Sequence, residues 1–395
     1  MTSALVWTGL AFAALGHGFL WTGFVNRLHG LRGPRPVIKI LTLFSVVAFA
    51  VIPAAIAWRA FGTDAAPFDP FGERELSSIY LWGALVIGVI AVPTKLWVER
   101  QRYDRSVIKK WTAEVRDVAK VVGDEPYAGW VSKSLGRIPL NESLKLSIDR
   151  KQLALPRLPE ELEGLTIVHL SDLHMTGRLD RAFYEVLTRT VNDLRPDVIA
   201  ITGDIIENAD CWPWLEATIG KLCAPLGVYY VLGNHDAFVD VTQTRRLLDS
   251  SGFTSLSSRW LRAEWNGVTV VLGGNEMPWM PAADSAMLPV RQAERPEFRL
   301  ILSHSPDQFA WCQRVDADLA LAGHTHGGQV QVPLLGVIMS PSLHGTRYAC
   351  GVFRRGDTAL HVSRGISGEK TWRWRCPPEI ALLELTRAND RSPVR

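Results

Sequence analysis

The chain has 395 residues and a formal net charge of +3 at pH 7. This length allows more than one domain, and so small a net charge gives no indication of a nucleic-acid partner, so we expect none. The five cysteines are odd in number and include no CxxC pair. That usage favours free thiols in a reducing compartment and argues against a disulfide framework.

Three long apolar segments occupy the first hundred residues, at 4–25, 40–57 and 77–94. None contains Lys, Arg, Asp or Glu, and each approaches the roughly 20 residues that a helix needs to cross a bilayer. Buried helices of a soluble core are the alternative, but those usually keep a polar face. A cleaved signal peptide is disfavoured because no basic residue precedes the first segment. We therefore predict a region of three transmembrane helices over residues 1–98.

Loop charges predict how these spans are oriented. Residues 26–39 contain four Lys or Arg residues and no acid, whereas residues 59–76 contain more acids than bases. Basic residues are again frequent between 95 and 110. Because basic loops remain in the cytoplasm, we expect an outside N-terminus and a cytoplasmic chain after residue 95. The sequence thus predicts a multi-pass inner (plasma) membrane protein in contact with the bilayer.

Residues 104–122 have apolar side chains three or four positions apart, with basic residues between them. This spacing predicts a helix within a basic, amphipathic juxtamembrane segment over residues 99–133. Such a helix could lie on anionic lipid or pack on its own domain, and the sequence does not decide between the two.

Residues 134–395 have the pattern of an α/β domain. Nearly continuous Val, Ile and Leu segments are typical of strands buried on both faces. Polar segments with helical periodicity, such as 180–194 and 242–250, separate some of them. The predicted strands are 165–170, 197–201, 228–232, 268–272, 298–302 and 317–321.

Five of these six strands end in residue types that bind metals. Five of the ten histidines of the chain lie in these turns. Any one turn is weak support, because Asp and Asn are common in turns. Together they predict one shared centre, since open α/β sheets place their sites at strand ends. The residues are Asp172 and His174, Asp204, Asn234 and His235 with Asp236, His304, and His324 with His326.

Carboxylate, amide and imidazole donors without thiolate suit Mn²⁺, Fe, Zn²⁺ or Co²⁺. About seven ligands exceed what one tetrahedral zinc ion takes. They match two ions held roughly 3.5–4 Å apart by a bridging carboxylate. We therefore expect two divalent metal ions as cofactors.

The ordered motifs DLH, GD, GNHD, SH and GHTH resemble those of the calcineurin-like metallophosphoesterases over residues 140–386. The segments SHSPD, LAGHTHGGQ and CPPEI are similar to the membrane-associated branch of YkuE-like enzymes and transmembrane proteins with a metallophosphoesterase domain. The resemblance implies a four-layer αββα sandwich. One metal would take Asp172, His174, Asp204 and His326, and the other Asp204, Asn234, His304 and His324.

The same resemblance implies that Mn²⁺ is favoured, that His235 is the general acid, and that His235 and Asn234 contact the substrate. Asp236 could orient His235 or simply form the turn. Where relatives often have an acidic pair, this chain has GGNEMPW, which affects a substrate-side contact at Asn275 and Glu276. Arg364 and Arg373 could contact phosphate or lie on the surface.

The implied activity is in-line hydrolysis of a phosphodiester or pyrophosphate by a hydroxide that bridges the metal ions. The predicted spans favour a phosphorylated, lipid-linked substrate, and some enzymes of this branch cleave UDP-2,3-diacylglucosamine to lipid X and UMP in lipid A biosynthesis. Two alternatives are a broad-specificity phosphodiesterase or phosphatase merely tethered to the membrane, and a non-catalytic sensor with a vestigial site. The five tryptophans Trp212, Trp214, Trp279, Trp372 and Trp374 could line an acyl groove or pack in the core.

Overall fold

The computed structural model describes residues 3–61, 76–123, 126–291, 296–368 and 370–388. The chain divides into a helical unit, Met1–Gln101 with Pro333–Arg347, and a sandwich unit, Arg102–Val332 with Tyr348–Arg395. The predicted domain boundaries at residues 98 and 133 stay predictions. Most of the 59–76 loop used for the orientation lies outside the described residues.

The helices are α1 (Ser3–His29), α2 (Arg35–Phe61), α3 (Leu76–Arg100), α4 (Val118–Val122), α5 (Gly129–Gly136), α6 (Arg181–Asp193), α7 (Trp212–Ala217), α8 (Val241–Ser250) and α9 (Phe309–Arg314). The strands are β1 (Ile108–Asp117), β2 (Lys145–Leu155), β3 (Thr166–Leu170), β4 (Val198–Thr202), β5 (Val228–Val231), β6 (Thr254–Ser255), β7 (Trp260–Trp265), β8 (Val268–Asn275), β9 (Glu297–Ser303), β10 (Leu319–Ala322), β11 (Gln331–Val332), β12 (Gly336–Val337), β13 (Gly351–Arg355), β14 (Thr358–Val362) and β15 (Glu379–Arg387).

The helical unit contains three helices that are long and apolar enough to cross a membrane, α1, α2 and α3. Helices α1 and α3 pack closely because small residues meet between them. A Cβ atom on Gly16 would lie 1.8 Å from the carbonyl oxygen of Ala84, and one on Gly88 would lie 2.0 Å from that of Phe12. Small residues at such contacts let two helix backbones approach within a bilayer. The three predicted apolar helices are therefore confirmed.

The sandwich unit is built on two sheets. The seven-stranded sheet has the order β1-β2-β15-β3-β4-β5-β6, and the six-stranded sheet has the order β13-β14-β10-β9-β8-β7. Strands β3, β4 and β5 are parallel neighbours in the first sheet, and β8, β9 and β10 are parallel neighbours in the second. All six predicted strands are present.

Alternating side chains divide between an inner and an outer core, which produces the layers. On β4, Val198 and Ala200 lie in the cluster between the sheets, whereas Ile199 and Ile201 lie in the outer cluster with residues of α6, α7 and α8. The second sheet repeats the pattern, with α9 on its outer face. Because each central strand is buried on both faces, its sequence is continuously apolar. The predicted four-layer αββα sandwich is confirmed.

The predicted helix over residues 104–122 is wrong for most of its length, and only Val118–Val122 is helical. Residues 108–117 form β1, the edge strand of the seven-stranded sheet, paired antiparallel with β2. From Trp111 to Val115, apolar and polar residues also alternate with period two. Pairing with β2 satisfies the backbone groups of β1 that face β2, and this pairing favours the strand over a helix. Its register places Trp111 opposite Lys151 and Val115 opposite Ser147.

Candidate metal centre

The carboxyl ends of five strands from both sheets supply the predicted ligands. Asp172 and His174 follow β3, Asp204 follows β4, and Asn234 with His235 follows β5. From the second sheet, His304 follows β9, while His324 and His326 follow β10. Parallel neighbours bring their carboxyl ends to one edge, so these turns meet.

The turns have an unusual backbone conformation. Five of the seven predicted ligands have positive φ angles: Asp172 (53°), His174 (41°), Asp204 (52°), His324 (70°) and His326 (52°). Such angles are uncommon outside glycine, although Asp and His adopt them more readily than most residues. A concentration of this conformation is typical of functional sites, where the surrounding structure maintains it.

Glycines next to the ligands permit close approach. A Cβ atom on Gly233, in GNHD, would lie 2.2 Å from Oδ1 of Asp204. A Cβ atom on Gly323, in GHTH, would lie 1.6 Å from Oγ of Ser171. The motifs therefore contain glycine because any side chain there would displace a neighbouring turn.

One cluster consists of Asp172, His174, Asp204 and His326, whose donor atoms lie within 4.8 Å of one another. The two imidazole centroids lie 4.8 Å apart, and Nε2 of His174 lies 3.1 Å from Nε2 of His326. Oδ1 of Asp172 lies 3.6 Å from the latter nitrogen. These are the four residues expected to hold one metal ion.

A second cluster consists of Asp204, His304 and His324, again with donor atoms within 4.8 Å. Nε2 of His304 lies 3.3 Å from Oδ2 of Asp204 and 3.0 Å from Oδ1 of Asn234. The indole of Trp279 packs against both imidazoles, at 5.6 Å from His304 and 4.6 Å from His324. Asp204 belongs to both clusters, as a bridging ligand must.

The hydrogen bonds of the ligands fix their tautomers. Nδ1 of His326 lies 3.0 Å from the Ser367 carbonyl oxygen, and Nδ1 of His304 lies 2.8 Å from that of Thr202. A carbonyl oxygen can only accept a hydrogen bond, so Nδ1 carries the proton in both rings. When such a ring is neutral, its Nε2 has a free lone pair. This arrangement is the one that metal-binding histidines adopt.

A third ligand is oriented in the same way by a carboxylate. Nδ1 of His174 lies 3.2 Å from Oε2 of Glu207. Although burial opposes it, hydrogen bonding to His174 and His235 lowers the pKa of Glu207 to about 2. Glu207 is therefore ionised and can only accept a hydrogen bond. With Nδ1 of both rings hydrogen-bonded, the Nε2 atoms of His174 and His326 lie 3.1 Å apart, where both are placed to ligate one metal ion.

The pKa values of the buried ligands reflect the two carboxylates that lie close together in the site. Burial lowers the pKa of His304, but the carboxylates of Asp204 and Asp172 outweigh burial and raise it to about 9. Burial, together with Asp204, raises the pKa of Asp172. Burial and the neighbouring His174 hold the pKa of His326 well below its usual value. Without metal, a proton on His304 supplies the positive charge that the carboxylates require.

Glu207 is the residue of the site that the sequence interpretation missed. Its Oε1 lies 3.0 Å from Nδ1 of His235, so one carboxylate contacts the predicted general acid and a predicted ligand. The alternative that Asp236 orients His235 is wrong. Asp236 accepts hydrogen bonds from the amides of Ile205, Ile206 and Gly233 and fixes these turns. The sequence feature that could have identified Glu207 is its position three residues after Asp204.

Three further residues, each considered as a possible contact with substrate or phosphate, have structural roles. Glu276 is fully buried and accepts two hydrogen bonds from Arg245, so it is not a substrate-side contact. Arg364 and Arg373 are not surface charges: Arg364 contacts Asp149, and Arg373 donates to the carbonyl oxygens of Arg364, Cys376 and Ser367.

The structure also places two of the predicted tryptophans, Asn275 and the cysteines. Trp212 and Trp214 pack against the outer core of the first sheet. Asn275 is buried and accepts a hydrogen bond from the amide of Met277. All five cysteines are free, as expected.

Comparison with known proteins agrees with this geometry. The sequence profile of the calcineurin-like phosphoesterase family matches residues 165–328. The chain is 30% identical over 240 residues to YkuE of Bacillus subtilis, an uncharacterised metallophosphoesterase, covering 59% of this chain and 82% of that protein. It is 26% identical over 296 residues to LpxG of Chlamydia trachomatis, a UDP-2,3-diacylglucosamine pyrophosphatase, covering 60% and 88%.

A third relative is a vertebrate membrane protein. The chain is 30% identical over 229 residues to the transmembrane protein with metallophosphoesterase domain of Danio rerio. That match covers 54% of this chain and 51% of the relative, so the chain spans about half of that protein. The ordered strand-end motifs, the two acidic and histidine clusters and these matches agree: the chain belongs to the calcineurin-like phosphoesterase family and is a hydrolase, a metallophosphoesterase.

Proposed function

We propose that this chain hydrolyses a phosphodiester or pyrophosphate bond with two divalent metal ions, Mn²⁺ being favoured, held at the two clusters. Asp172, His174, Asp204 and His326 would hold one ion, and Asp204 with Asn234, His304 and His324 the other. The observation that carries the proposal is the pair of Nε2 atoms of His174 and His326, which face each other at 3.1 Å. The buried Oδ2 of Asp204 adds to it, because no hydrogen bond reaches this oxygen within the described residues.

The bound ions would supply a nucleophilic water at neutral pH and offset the charge on the phosphoryl oxygens. The protein contributes a proton donor, His235, whose side chain is 14% exposed and therefore reachable by substrate. Oε1 of Glu207 lies 3.0 Å from Nδ1 of His235, and Nε2 would donate to the leaving oxygen. The amide of His235 also donates to Oδ1 of Asp204 at 2.7 Å, so the acid and the shared carboxylate are held together.

The proposed substrate is lipid-linked. The three apolar helices would keep the enzyme at the bilayer, and LpxG, a relative over 88% of its length, is named for cleavage of UDP-2,3-diacylglucosamine. We infer that this chain cleaves the same class of lipid pyrophosphate, releasing UMP and lipid X. The basic segments that flank the spans favour a cytoplasmic location of the site, at the inner membrane.

The test uses full-length protein purified in detergent and loaded with Mn²⁺. UMP release from UDP-2,3-diacylglucosamine is compared with nitrophenol release from bis-p-nitrophenyl phosphate, and bound Mn²⁺ is measured by elemental analysis. We expect two ions per chain and faster UMP release. Activity on the nitrophenyl ester alone would leave a broad-specificity phosphodiesterase. Absence of both activities in protein that holds two ions would refute the proposal.

Three variants separate the roles of the residues. Asp204→Asn should lose metal and activity, because both clusters share this carboxylate. His235→Ala should retain metal and lose about 10²–10⁴-fold in turnover, the usual contribution of a general acid. Asp210→Asn, at an exposed aspartate six residues after Asp204, is the matched control and should change neither. Loss of metal in His235→Ala would refute the role assigned to His235.

A further inference from the structure

Residues 129–140 of the sandwich unit present large apolar side chains at the protein surface. The two most exposed are Trp130, at 79%, and Leu140, at 70%. Val131 and Ile138 are exposed as well. Apolar side chains scattered singly over a surface are ordinary, but a concentration of them in one short segment is typical of an interaction site. None of these four residues belongs to the predicted metal centre.

The segment is fixed at both ends by hydrogen bonds. Just before it, the amide of Ala128 donates to the carbonyl oxygen of Arg178 at 2.8 Å. Just after it, the side-chain amide of Asn141 donates to the carbonyl oxygens of Thr371 at 2.8 Å and Leu135 at 3.1 Å. The exposed side chains therefore project from a backbone that the rest of the sandwich unit holds in place.

Helix α5, which begins the segment, has two faces of different character. Ser132 is buried and Leu135 is half-buried, so this face packs on the sandwich unit. Trp130, Lys133 and Arg137 are exposed and follow one another at spacings of three and four residues. Because residues at these spacings share one side of a helix, a tryptophan and two basic side chains lie together on the outward face.

This combination matches the interface between a bilayer and water. Tryptophan is enriched at the level of the lipid headgroups, and Lys and Arg can keep their methylene groups in apolar surroundings while their charges reach the phosphates. Residues 126–141 contain no Asp or Glu, which lipid phosphates would repel. A second copy packed by two-fold symmetry fits less well, because Lys133 and Arg137 would approach their own equivalents. The three apolar helices of the chain would also keep a bilayer close at hand.

We propose that residues 129–140 insert into the interface of a phospholipid bilayer. Trp130 and Leu140 lie among the headgroups and the first part of the acyl chains, and Lys133 and Arg137 contact the lipid phosphates. The sandwich unit thereby has a membrane contact of its own, in addition to the apolar helices of the other unit.

The inserted segment is connected to the predicted metal centre by hydrogen bonds. Oδ1 of Asn141 accepts from the amide of Arg373 at 3.0 Å, and the guanidinium of Arg373 donates to the carbonyl oxygen of Ser367 at 2.6 Å. The same carbonyl accepts from Nδ1 of His326 at 3.0 Å. Insertion would therefore keep this part of the centre near the headgroups, a consequence that rests on the proposed function although the membrane contact itself does not.

Fluorescence quenching of the full-length protein in phosphatidylcholine nanodiscs tests the proposal. An NBD label is attached to a Leu140→Cys variant that also has Cys223→Ser, because the other four cysteines are buried. The control label is attached to Met287→Cys, which replaces an apolar residue of the same unit with a similar exposure of 73%. We expect nitroxide-labelled lipid to quench the label at position 140 and aqueous iodide to leave it unquenched. At position 287 we expect quenching by iodide alone.

A double variant removes apolar side chains without changing the labelled position. Trp130→Ser with Val131→Ser should change quenching at position 140 from lipid to iodide, whereas Val290→Ser, at another exposed valine, should not. An unchanged melting temperature shows that each variant is folded, and no readout requires hydrolysis, so a failure of the proposed activity would leave the quenching results unchanged.

Three outcomes would overturn the proposal. The first is iodide quenching at position 140 before any apolar side chain is removed, and the second is equal lipid quenching at positions 140 and 287. The third is protection of position 140 from both quenchers, which would indicate that protein, such as a second copy of the chain, covers the segment. Lipid quenching that persists in the double variant would also overturn it.

Discussion

Replacing Glu207 by glutamine tests whether this carboxylate connects a metal ligand to the proton donor. Its two oxygens lie 3.2 Å from Nδ1 of His174 and 3.0 Å from Nδ1 of His235. Glutamine keeps the shape but has one acceptor oxygen, so its NH₂ group faces one of the two ring N–H groups. A hydrogen bond to a charged group contributes about 1.5–3 kcal/mol. Loss of one of these contacts therefore predicts a kcat/KM, a metal affinity, or both, that are lower by roughly 10- to 150-fold.

The assay is hydrolysis of bis-p-nitrophenyl phosphate as a function of pH, with bound Mn²⁺ measured on the same samples. If the contact with His235 dominates, metal content stays at the native level and the basic limb of the pH profile moves to lower pH, because an imidazolium loses a neighbouring carboxylate. If the contact with His174 dominates, metal is lost. Glu185→Gln, at a half-exposed glutamate paired with Arg181, is the control. Native activity and native metal content in Glu207→Gln would refute the reasoning.

Two other predictions concern stability. The pKa of His304 is raised to about 9. In EDTA-treated protein, protonated His304 therefore contributes fully to the free energy of unfolding below pH 6.5, and this contribution is lost as the pH rises through 9. Thermal denaturation should show the melting temperature falling over this interval, and Mn²⁺ should abolish the fall; a flat profile without metal would contradict it. Glu276→Ala leaves Arg245 without its buried carboxylate and should cost about 3–5 kcal/mol of unfolding free energy, seen as a lower melting temperature. An unchanged melting temperature would show that the ion pair is dispensable.

The strands and the ligand set could be predicted from sequence because their signals are local. A central strand such as β4 is apolar at every position, and the turn after it contains Gly203 and Asp204. The clustering of five histidines at strand ends has no simple origin other than a common centre. To predict that the turns meet, it was enough to assume parallel strands, because parallel strands have their carboxyl ends at one edge of a sheet.

The residues that the sequence did not reveal are those whose role depends on a distant partner. Glu207 and Asp236 are both acids in turns next to a predicted ligand, and nothing in the sequence distinguishes them. Glu207 faces imidazoles, whereas Asp236 accepts three backbone amides. Likewise, β1 has helical and strand periodicities at once, and pairing with β2, some forty residues away in sequence, decided between them. Such choices are made by tertiary contacts, which no local pattern contains.

The centre combines features that destabilise it without metal. Five ligands have positive φ angles, each a strain on the order of 1–3 kcal/mol in sparsely populated regions. Two buried carboxylates, Asp172 and Asp204, lie in one cluster. Burial and Asp204 raise the pKa of Asp172 above its unfolded value. By linkage, ionised Asp172 therefore reduces the stability of the metal-free protein at neutral pH.

Asp172→Asn tests this account, since asparagine tolerates a positive φ angle and its oxygen can still accept from the amide of His324, now at 3.0 Å. In EDTA, the variant has one buried charge fewer and should be at least as stable as the native protein. A gain of about 1 kcal/mol in the free energy of unfolding would raise the melting temperature by roughly 2–4 °C. In Mn²⁺ the order should reverse, because only the native protein gains the free energy of tight metal binding. A variant less stable than the native protein under both conditions would show that Asp172 serves the fold. A reversal would show that the charge is retained for the metal ions and at the expense of the fold.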